Sequence, residues 1–184
     1  MRCSAVLLAG GKSLRMGCDK AFLEIGGEPL WQRQLATLRR LSPDQVMISG
    51  PARAEWAGYE IVADETAHAG PLAGVAAALR RCTTPRLVVL AVDLPQMTTD
   101  YLRSLLRLCL DGQGAVATHA DRFEPLAAVY PVETLALAEA ALREGDFAMQ
   151  YFVRRALEQD LLLERSISAE ESVLFTNLNT PADL

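Results

Sequence analysis

The sequence is poor in cysteine and histidine, the residues that most often bind zinc. Its 184 residues include four cysteines and two histidines. There is no CxxC pair and no histidine at metal-ligand spacing from a cysteine, so we do not expect a zinc site. Widely spaced cysteines beside apolar stretches are typical of free thiols in a reducing compartment, and we therefore expect a cytoplasmic protein. Cys18, within a glycine-rich loop, is the one candidate for a reactive thiol.

Long hydrophobic stretches and runs of basic residues are also missing. No window approaches the roughly 18 apolar residues that a membrane-spanning helix needs. The apolar run Cys3–Ala9 is too short for a signal peptide, and two glycines and Lys12 follow it, so it predicts a buried first strand. With 18 Lys+Arg against 23 Asp+Glu, the net charge is −5, which argues against a partner that is nucleic acid or an anionic membrane. Small phosphorylated ligands remain open, because they need only a local basic site.

The pattern of hydrophobic residues predicts one α/β domain over residues 1–184. Hydrophobic residues make up 51% of the chain, and we find no internal repeat, low-complexity tract or linker. Short apolar runs alternate with amphipathic segments, which favours a doubly wound, mostly parallel sheet of Rossmann-like architecture. The predicted strands are Ala5–Leu8, Gln45–Ser49, Glu60–Ala63, Arg86–Ala91, Ala115–His119, Leu126–Tyr130 and Ser172–Thr176. The predicted helices are Leu30–Leu41, Leu72–Arg81, Thr99–Cys109 with Thr98 as its N-cap, Val132–Arg143 and Phe147–Glu158.

The loop after the first strand is a candidate phosphate-binding loop. Ligands of such sheets bind outside the carboxyl ends of the strands. From Leu8 to Lys20 the sequence reads LAGGKSLRMGCDK, with three glycines and three cations. Glycine lets backbone N–H groups approach an anion closely. The loop is not a Walker A motif, because Cys18 follows Gly17, and it lacks the GxGxxG spacing of a dinucleotide fingerprint.

Six sequence blocks resemble those of the molybdenum cofactor guanylyltransferases, often called MobA. They occur in the family's order and span nearly the full chain. The blocks are LAGGxSxRMGxDKAxL from Leu8, IGGEPL from Ile25, GPLAG from Gly70, VDLP from Val92, EPLAAVY from Glu124 and FTNLNTP from Phe175. The resemblance therefore implies a nucleotidyltransferase domain.

The resemblance assigns nucleotide contacts to the first loop. It implies that Leu8, Ala9 and Gly10 contact the nucleotide through backbone atoms, and that Gly11 completes the turn. Arg15 and Lys20 would meet the triphosphate, where fixed cations stabilise the charge that develops during nucleotidyl transfer. Arg15 can fork onto two oxygens, whereas Lys20 acts as a point charge. The alternative is that both cations merely solvate a surface loop.

Two acidic residues follow predicted strands. Asp93 ends the most apolar strand, and because an unpaired carboxylate is costly there, we expect a cation partner, with Mg²⁺ the first candidate. The alternative is an N-cap for the helix that begins near Thr98. Most relatives have Cys before this Asp, whereas this chain has Val92, also small and buried. Asp64 is implied as a guanine-nucleotide contact, with a turn-capping role as its alternative.

Other positions bear on the substrates. Asn177 and Asn179 alternate along an extended segment, so their amides point the same way. They either complete the metal shell or hold the second substrate, or they bond a turn ahead of a helix that starts at Pro181. Where relatives often carry an Asn after the second strand, this chain has Ser49-Gly50.

The resemblance also implies the reaction. Relatives that use GTP tend to have Gly at the third loop position, as at Gly10, whereas those that use CTP tend to have Ala. Loss of one methyl group beside the base admits a purine, a discrimination of about 1–3 kcal/mol. The implied enzyme transfers GMP from GTP to the phosphate of molybdopterin with Mg²⁺, gives the guanine dinucleotide cofactor and pyrophosphate, and transiently contacts molybdoenzymes or cofactor-delivery proteins. The alternatives are a transferase of the same fold acting with CTP or on a sugar phosphate, and a nucleotide-binding adaptor without activity.

Overall fold

A computed structural model describes residues 2–10, 19–63 and 69–178 and contains one seven-stranded sheet covered by helices on both faces. The strands are β1 Ser4–Leu8, β2 Glu24–Ile25, β3 Glu28–Pro29, β4 Gln45–Ser49, β5 Glu60–Val62, β6 Arg86–Ala91, β7 Gly114–His119, β8 Arg122–Pro131 and β9 Leu162–Ser166. The helices are α1 Leu30–Arg39, α2 Pro71–Arg81, α3 Thr99–Leu108, α4 Leu135–Glu144 and α5 Met149–Glu158. None of the helices in the described ranges has the length and apolar character to cross a bilayer.

The strand order brings the ends of three strands to one edge. The order is β5-β4-β1-β6-β8-β7-β9, and only β8 runs antiparallel to its neighbours. Leu8 pairs with Ser49 on one side and with Ala91 on the other, so β1, β4 and β6 end at the same level. β4 lies on one side of β1, and β6, which comes later in the chain, lies on the other side. The ends of β1 and β6 therefore flank a topological switch point, where ligands of such sheets bind.

Alternate residues of the central strand enter two separate cores. Ala5 and Leu7 pack in the layer that contains α1 and α3, whereas Val6 and Leu8 pack in the layer of α2, α4 and α5. All six residues of β6 are buried. The doubly covered, mostly parallel sheet predicted from apolar runs is thus confirmed.

Most predicted elements are confirmed, with shifts at their ends. Six of the seven predicted strands and all five helices are present. Thr98 caps α3 as predicted, since its Oγ1 accepts a hydrogen bond from the Tyr101 N–H at 3.2 Å. The helix predicted over Val132–Arg143 instead begins with a 3₁₀ turn over Val132–Thr134, and α4 follows it.

The prediction was wrong at the end of the chain. The strand predicted over Ser172–Thr176 is a 3₁₀ helix over Glu171–Phe175. The Ser172 hydroxyl donates to the Ala169 carbonyl at 2.7 Å, and such local bonds compete with strand pairing. The place beside β7 belongs to β9, which the sequence pattern did not predict.

Candidate functional site

The residues just beyond β1, β4 and β6 continue the hydrogen bonding of the sheet. The Ala9 N–H donates to the Ser49 carbonyl at 2.9 Å, and the Leu8 carbonyl accepts from the Val92 N–H at 3.1 Å. These bonds hold the start of the glycine-rich loop beside the residues that follow β4 and β6. Gly10, Gly50 and Asp93 consequently emerge at the same edge of the sheet.

Gly50 makes a close approach to the glycine-rich loop. Its φ is +153°, and a Cβ there would lie 3.1 Å from the Gly10 nitrogen and 3.3 Å from the Ala9 carbonyl carbon. Only a residue without a side chain fits this contact without moving the neighbouring backbone. The Ser49-Gly50 pair, which departs from the Asn of many relatives, thus shapes the Ala9–Gly10 turn by steric fit.

Asp93 and Lys20 form an ion pair at this edge. Lys20 Nζ lies 3.7 Å from Asp93 Oδ2, and the two side chains are 21% and 27% exposed. Lys20 thus gives Asp93 a cation partner within the chain, whereas the expected Mg²⁺ stays a prediction. The alternative role for Asp93 as an N-cap is wrong, because Thr98 caps α3. Val92, just before Asp93, is buried as expected.

The turn that carries Lys20 is fixed by an acidic cap and an arginine. Lys20 begins a 3₁₀ turn over Lys20–Phe22, and Asp19 Oδ1 accepts from the Ala21 N–H at 3.1 Å. Arg53, in the segment after β4, donates from Nη2 to Asp19 Oδ2 at 2.7 Å and lies over the Phe22 ring. Sequence reasoning missed this pair, because nothing in the local pattern connects Arg53 with Asp19.

Leu178 connects the end of the described chain to both members of the ion pair. Its side chain is 2% exposed and packs in the core on the α1 and α3 face. Its N–H donates to the Asp93 carbonyl at 2.9 Å, and its own carbonyl accepts from Lys20 Nζ at 2.8 Å. Asn177, directly before it, is exposed. The FTNLNTP block therefore meets the site through the backbone of its central leucine.

Glu124 is a further acidic group toward the same edge. β8 pairs Ala127 with Leu90, and Glu124 lies three residues beyond Ala127 in the direction of the site. Its side chain is half-buried, and this desolvation raises its pKa, although the nearby charges of Arg122 and His119 act in the opposite direction.

Several predicted site residues lie outside the described residues: Gly11, Arg15, Asp64 and Asn179, together with the thiol candidate Cys18. Of the predicted set, the structure brings together Leu8, Ala9, Gly10, Lys20, Asp93 and Asn177 at the carboxyl edge of the sheet.

The donor groups at this edge suit magnesium better than a softer metal. No group of three or more His, Cys, Asp or Glu side chains that could hold a metal occurs among the described residues. Mg²⁺ does not need such a group, since it commonly takes one or two carboxylates and completes its shell with water and substrate phosphates. Asp93 supplies a partly exposed carboxylate. Asn177, whose side chain is exposed, directly precedes Leu178, and the Leu178 N–H bonds to the Asp93 carbonyl. A carboxylate and an amide of this kind fit the requirement.

The chain resembles known proteins over nearly its whole length. The MobA-like NTP transferase domain family matches residues 5–161. A protein of Opitutus terrae that carries the name probable molybdenum cofactor guanylyltransferase is 43% identical, covering 98% of this chain and 92% of its own length. A Pseudomonas putida protein named molybdenum cofactor guanylyltransferase is 34% identical over 99% of this chain and 95% of its own.

Solved structures share the fold. The molybdopterin-guanine dinucleotide biosynthesis protein A of Archaeoglobus fulgidus superposes with a TM-score of 0.76 at 24% identity, covering 98% of this chain and 94% of its own. The sequence matches extend over nearly the whole chain and include the segments that form the Lys20–Asp93 edge. The chain therefore belongs to the family of MobA-like NTP transferases, together with relatives named molybdenum cofactor guanylyltransferase.

Proposed function

We propose that this protein transfers GMP from GTP to the phosphate of molybdopterin, giving the guanine dinucleotide form of the cofactor and pyrophosphate. The observation that carries the proposal is the Lys20–Asp93 pair beside the Ala9–Gly10 turn, in a chain 43% identical to a relative named for this activity. A cation and a carboxylate side by side at a strand-end crevice match the needs of triphosphate chemistry.

The reaction is an in-line displacement at phosphorus. An oxygen of the molybdopterin phosphate forms a bond to the α-phosphorus of GTP, and the bond from that phosphorus to the bridging α,β oxygen breaks. The electron pair leaves with pyrophosphate, so negative charge grows on the departing group. We assign Lys20 and Arg15 as the cations that stabilise this charge. The assignment of Arg15 rests on the sequence alone.

Lys20 can exchange its ion-pair partner Asp93 for a phosphate oxygen when the triphosphate binds. Its Nζ donates to the Leu178 carbonyl at 2.8 Å and lies 3.7 Å from Asp93. An ammonium has three donors, so it can keep the Leu178 carbonyl and turn another donor toward a phosphate oxygen. The Leu178 bond thus holds the Lys20 ammonium at the edge before the nucleotide arrives.

Asp93 is the residue that would hold Mg²⁺, and we assign Asn177 and Asn179 as further ligand candidates from the sequence alone. When bound, the ion neutralises charge on the phosphate oxygens and helps to orient them. Asp93 sits at the carboxyl end of a wholly buried strand, which keeps its backbone fixed. Its partial exposure leaves the carboxylate accessible to a ligand.

Selection of GTP rests on Gly10 and Asp64. We propose that the absence of a side chain at Gly10 leaves room for a purine and that Asp64 contacts the guanine nucleotide. The expected discrimination against CTP is about 1–3 kcal/mol.

We also propose a cytoplasmic location and transient contact with proteins that receive or deliver the cofactor. Cys3 and Cys109 are buried free thiols and Cys82 is a half-buried one, as in proteins of a reducing compartment.

The test is to incubate the pure protein with labelled GTP, Mg²⁺ and molybdopterin and to look for a labelled dinucleotide and pyrophosphate. Parallel reactions with CTP and ATP identify the base, and Asp93→Ala is the matched inactive control. Turnover that prefers CTP, or that needs a sugar phosphate as acceptor, would replace our proposal with another transferase activity. Binding of GTP without any release of pyrophosphate would indicate an adaptor.

A further inference from the structure

Three successive backbone carbonyls are held in the loop that follows β6. The Asp93 carbonyl accepts from the Leu178 N–H at 2.9 Å. The Leu94 carbonyl accepts from the side-chain amide of Gln34, and the Pro95 carbonyl accepts from Arg33 Nε at 3.2 Å. Two of the three donors come from α1, so this helix fixes the loop directly beyond Asp93.

Gln34 is an unusual residue to find at this place. It is fully buried, and its Oε1 has no hydrogen-bond partner among the described residues. A buried polar atom without a partner reduces stability, whereas an apolar side chain of similar size would pack without that penalty. What the amide does supply is its Nε2 donor to the Leu94 carbonyl. Stability alone therefore does not account for a glutamine here.

Leu94 follows Asp93 directly, so the hydrogen bond to the Leu94 carbonyl restricts the backbone from which the Asp93 carboxylate projects. Loss of the hydrogen bonds that hold a metal ligand in place typically changes metal affinity or activity 10- to 100-fold, and we expect an effect of this size from bonds that hold the backbone carrying the ligand. Arg33 acts one residue further along the same loop. Its side chain is half-buried, and its Nε approaches the carbonyl from the same helix.

We propose that Gln34 and Arg33 are positioning residues that set the Asp93 carboxylate for its ligand by holding the two carbonyls that follow it. This inference rests on the proposed role of Asp93 in binding Mg²⁺ with the nucleotide. We assign neither residue a contact with the substrate, and both act through the backbone of the loop.

The decisive variant is Gln34→Met, which keeps the size of the side chain and removes its donor. It leaves the Leu94 carbonyl unpaired but also removes the unpaired Gln34 Oε1, so we expect a thermal midpoint close to that of the wild type. Gln32→Met is the matched control, since Gln32 lies on the same helix but is exposed. Arg33→Met provides a second variant at a half-buried position, where folding is not at risk.

Three measurements distinguish a positioning role of these residues from a purely structural role. The first is the affinity for Mn²⁺ in the presence of GTP, followed by electron paramagnetic resonance. The second is the amide exchange rate of Leu178 in the protein without ligands, because its N–H bonds to the loop. The third is the division of the activity loss between kcat and the KM for GTP.

For Gln34→Met we expect about 10-fold or more weaker Mn²⁺ binding, faster exchange at Leu178, and a fall in kcat with little change in the KM for GTP. Arg33→Met should change these quantities in the same direction by less, and Gln32→Met should change none. Wild-type Mn²⁺ affinity and kcat in both Gln34→Met and Arg33→Met would overturn the inference, whatever their stability. Asp93→Ala is measured in parallel: if it too keeps wild-type Mn²⁺ affinity, the assigned role of Asp93 has failed, and the positioning role fails with it.

Discussion

Replacement of Lys20 by methionine tests whether this residue acts on the substrate or only ties the structure together. Among the described residues the side chain contacts two groups, through a 2.8 Å hydrogen bond to the Leu178 carbonyl and the 3.7 Å ion pair with Asp93. Methionine keeps most of the apolar stem and removes the ammonium. Both stability and turnover should fall, but by amounts with different physical origins.

The loss of stability follows from the two contacts. A hydrogen bond from a charged donor contributes about 1.5–3 kcal/mol. The ion pair has a gross attraction of about 4 kcal/mol at an effective dielectric constant of 20, but partial exposure and desolvation reduce its net contribution to at most about 1 kcal/mol. We therefore expect the free energy of unfolding to decrease by about 2–3 kcal/mol, measured by urea denaturation followed by circular dichroism.

The loss of turnover follows from the charge on the departing pyrophosphate. Removal of one fixed donor from a developing oxyanion commonly lowers kcat by about 10²–10³-fold. Pyrophosphate release at saturating GTP measures this directly at a temperature where the variant is fully folded. Lys20→Arg is the control, because it keeps the charge while changing the donor geometry, and it should retain more turnover than Lys20→Met.

A result in which Lys20→Met loses about 2 kcal/mol of stability but keeps kcat within about threefold of wild type would refute the catalytic role. Lys20 would then be a structural tie between the first loop and the end of the chain.

Three other predictions follow from single contacts or buried groups. Gly50→Ala should raise the KM for GTP, because its methyl group would press on the Gly10 backbone. Gly58→Ala is the control and should leave the KM unchanged, since Gly58 also has a positive φ but has open space around it. Steady-state kinetics compares the two variants. Burial raises the folded-state pKa of Glu124. The stability that the protonated side chain contributes is therefore complete below the unfolded-state pKa and is lost as pH rises through the folded-state pKa. Glu124→Gln should raise the melting temperature at neutral pH and have little effect near about pH 3.5. Burial raises the pKa of Cys109 to about 11, so only about 0.1% is thiolate at about pH 8, and mass spectrometry should find it alkylated by iodoacetamide only after denaturation.

The sequence by itself determined which segments form the central strands. Runs such as Ala5–Leu8 and Leu87–Ala91 are apolar at every pleat position, and such runs bury both faces wherever they lie in a sheet. The ends of these strands are therefore visible in the sequence as the places where polar or glycine residues begin. Lys20 and Asp93 could be nominated in this way, from composition and from the family resemblance together.

The sequence could not determine how the nominated residues are held. Leu178 and Gln34 show no distinguishing pattern, since a leucine in a polar segment and a glutamine in a helix are both ordinary. Each acts through hydrogen bonds to residues far away in the chain, and such pairings depend on strand order and helix placement. The misassigned strand at Ser172–Thr176 has the same origin, because strand pairing depends on which segment the fold places beside β7, and that segment is β9.

What the fold alone decided is the meeting of three distant segments at one strand edge. The reversal of strand order between β1 and β6 places the first loop, the Asp93 loop and Leu178 within hydrogen-bond reach of one another. Local propensity fixes a strand because its cause lies within a few residues, whereas an ion pair such as Lys20–Asp93 exists only after the whole sheet has formed.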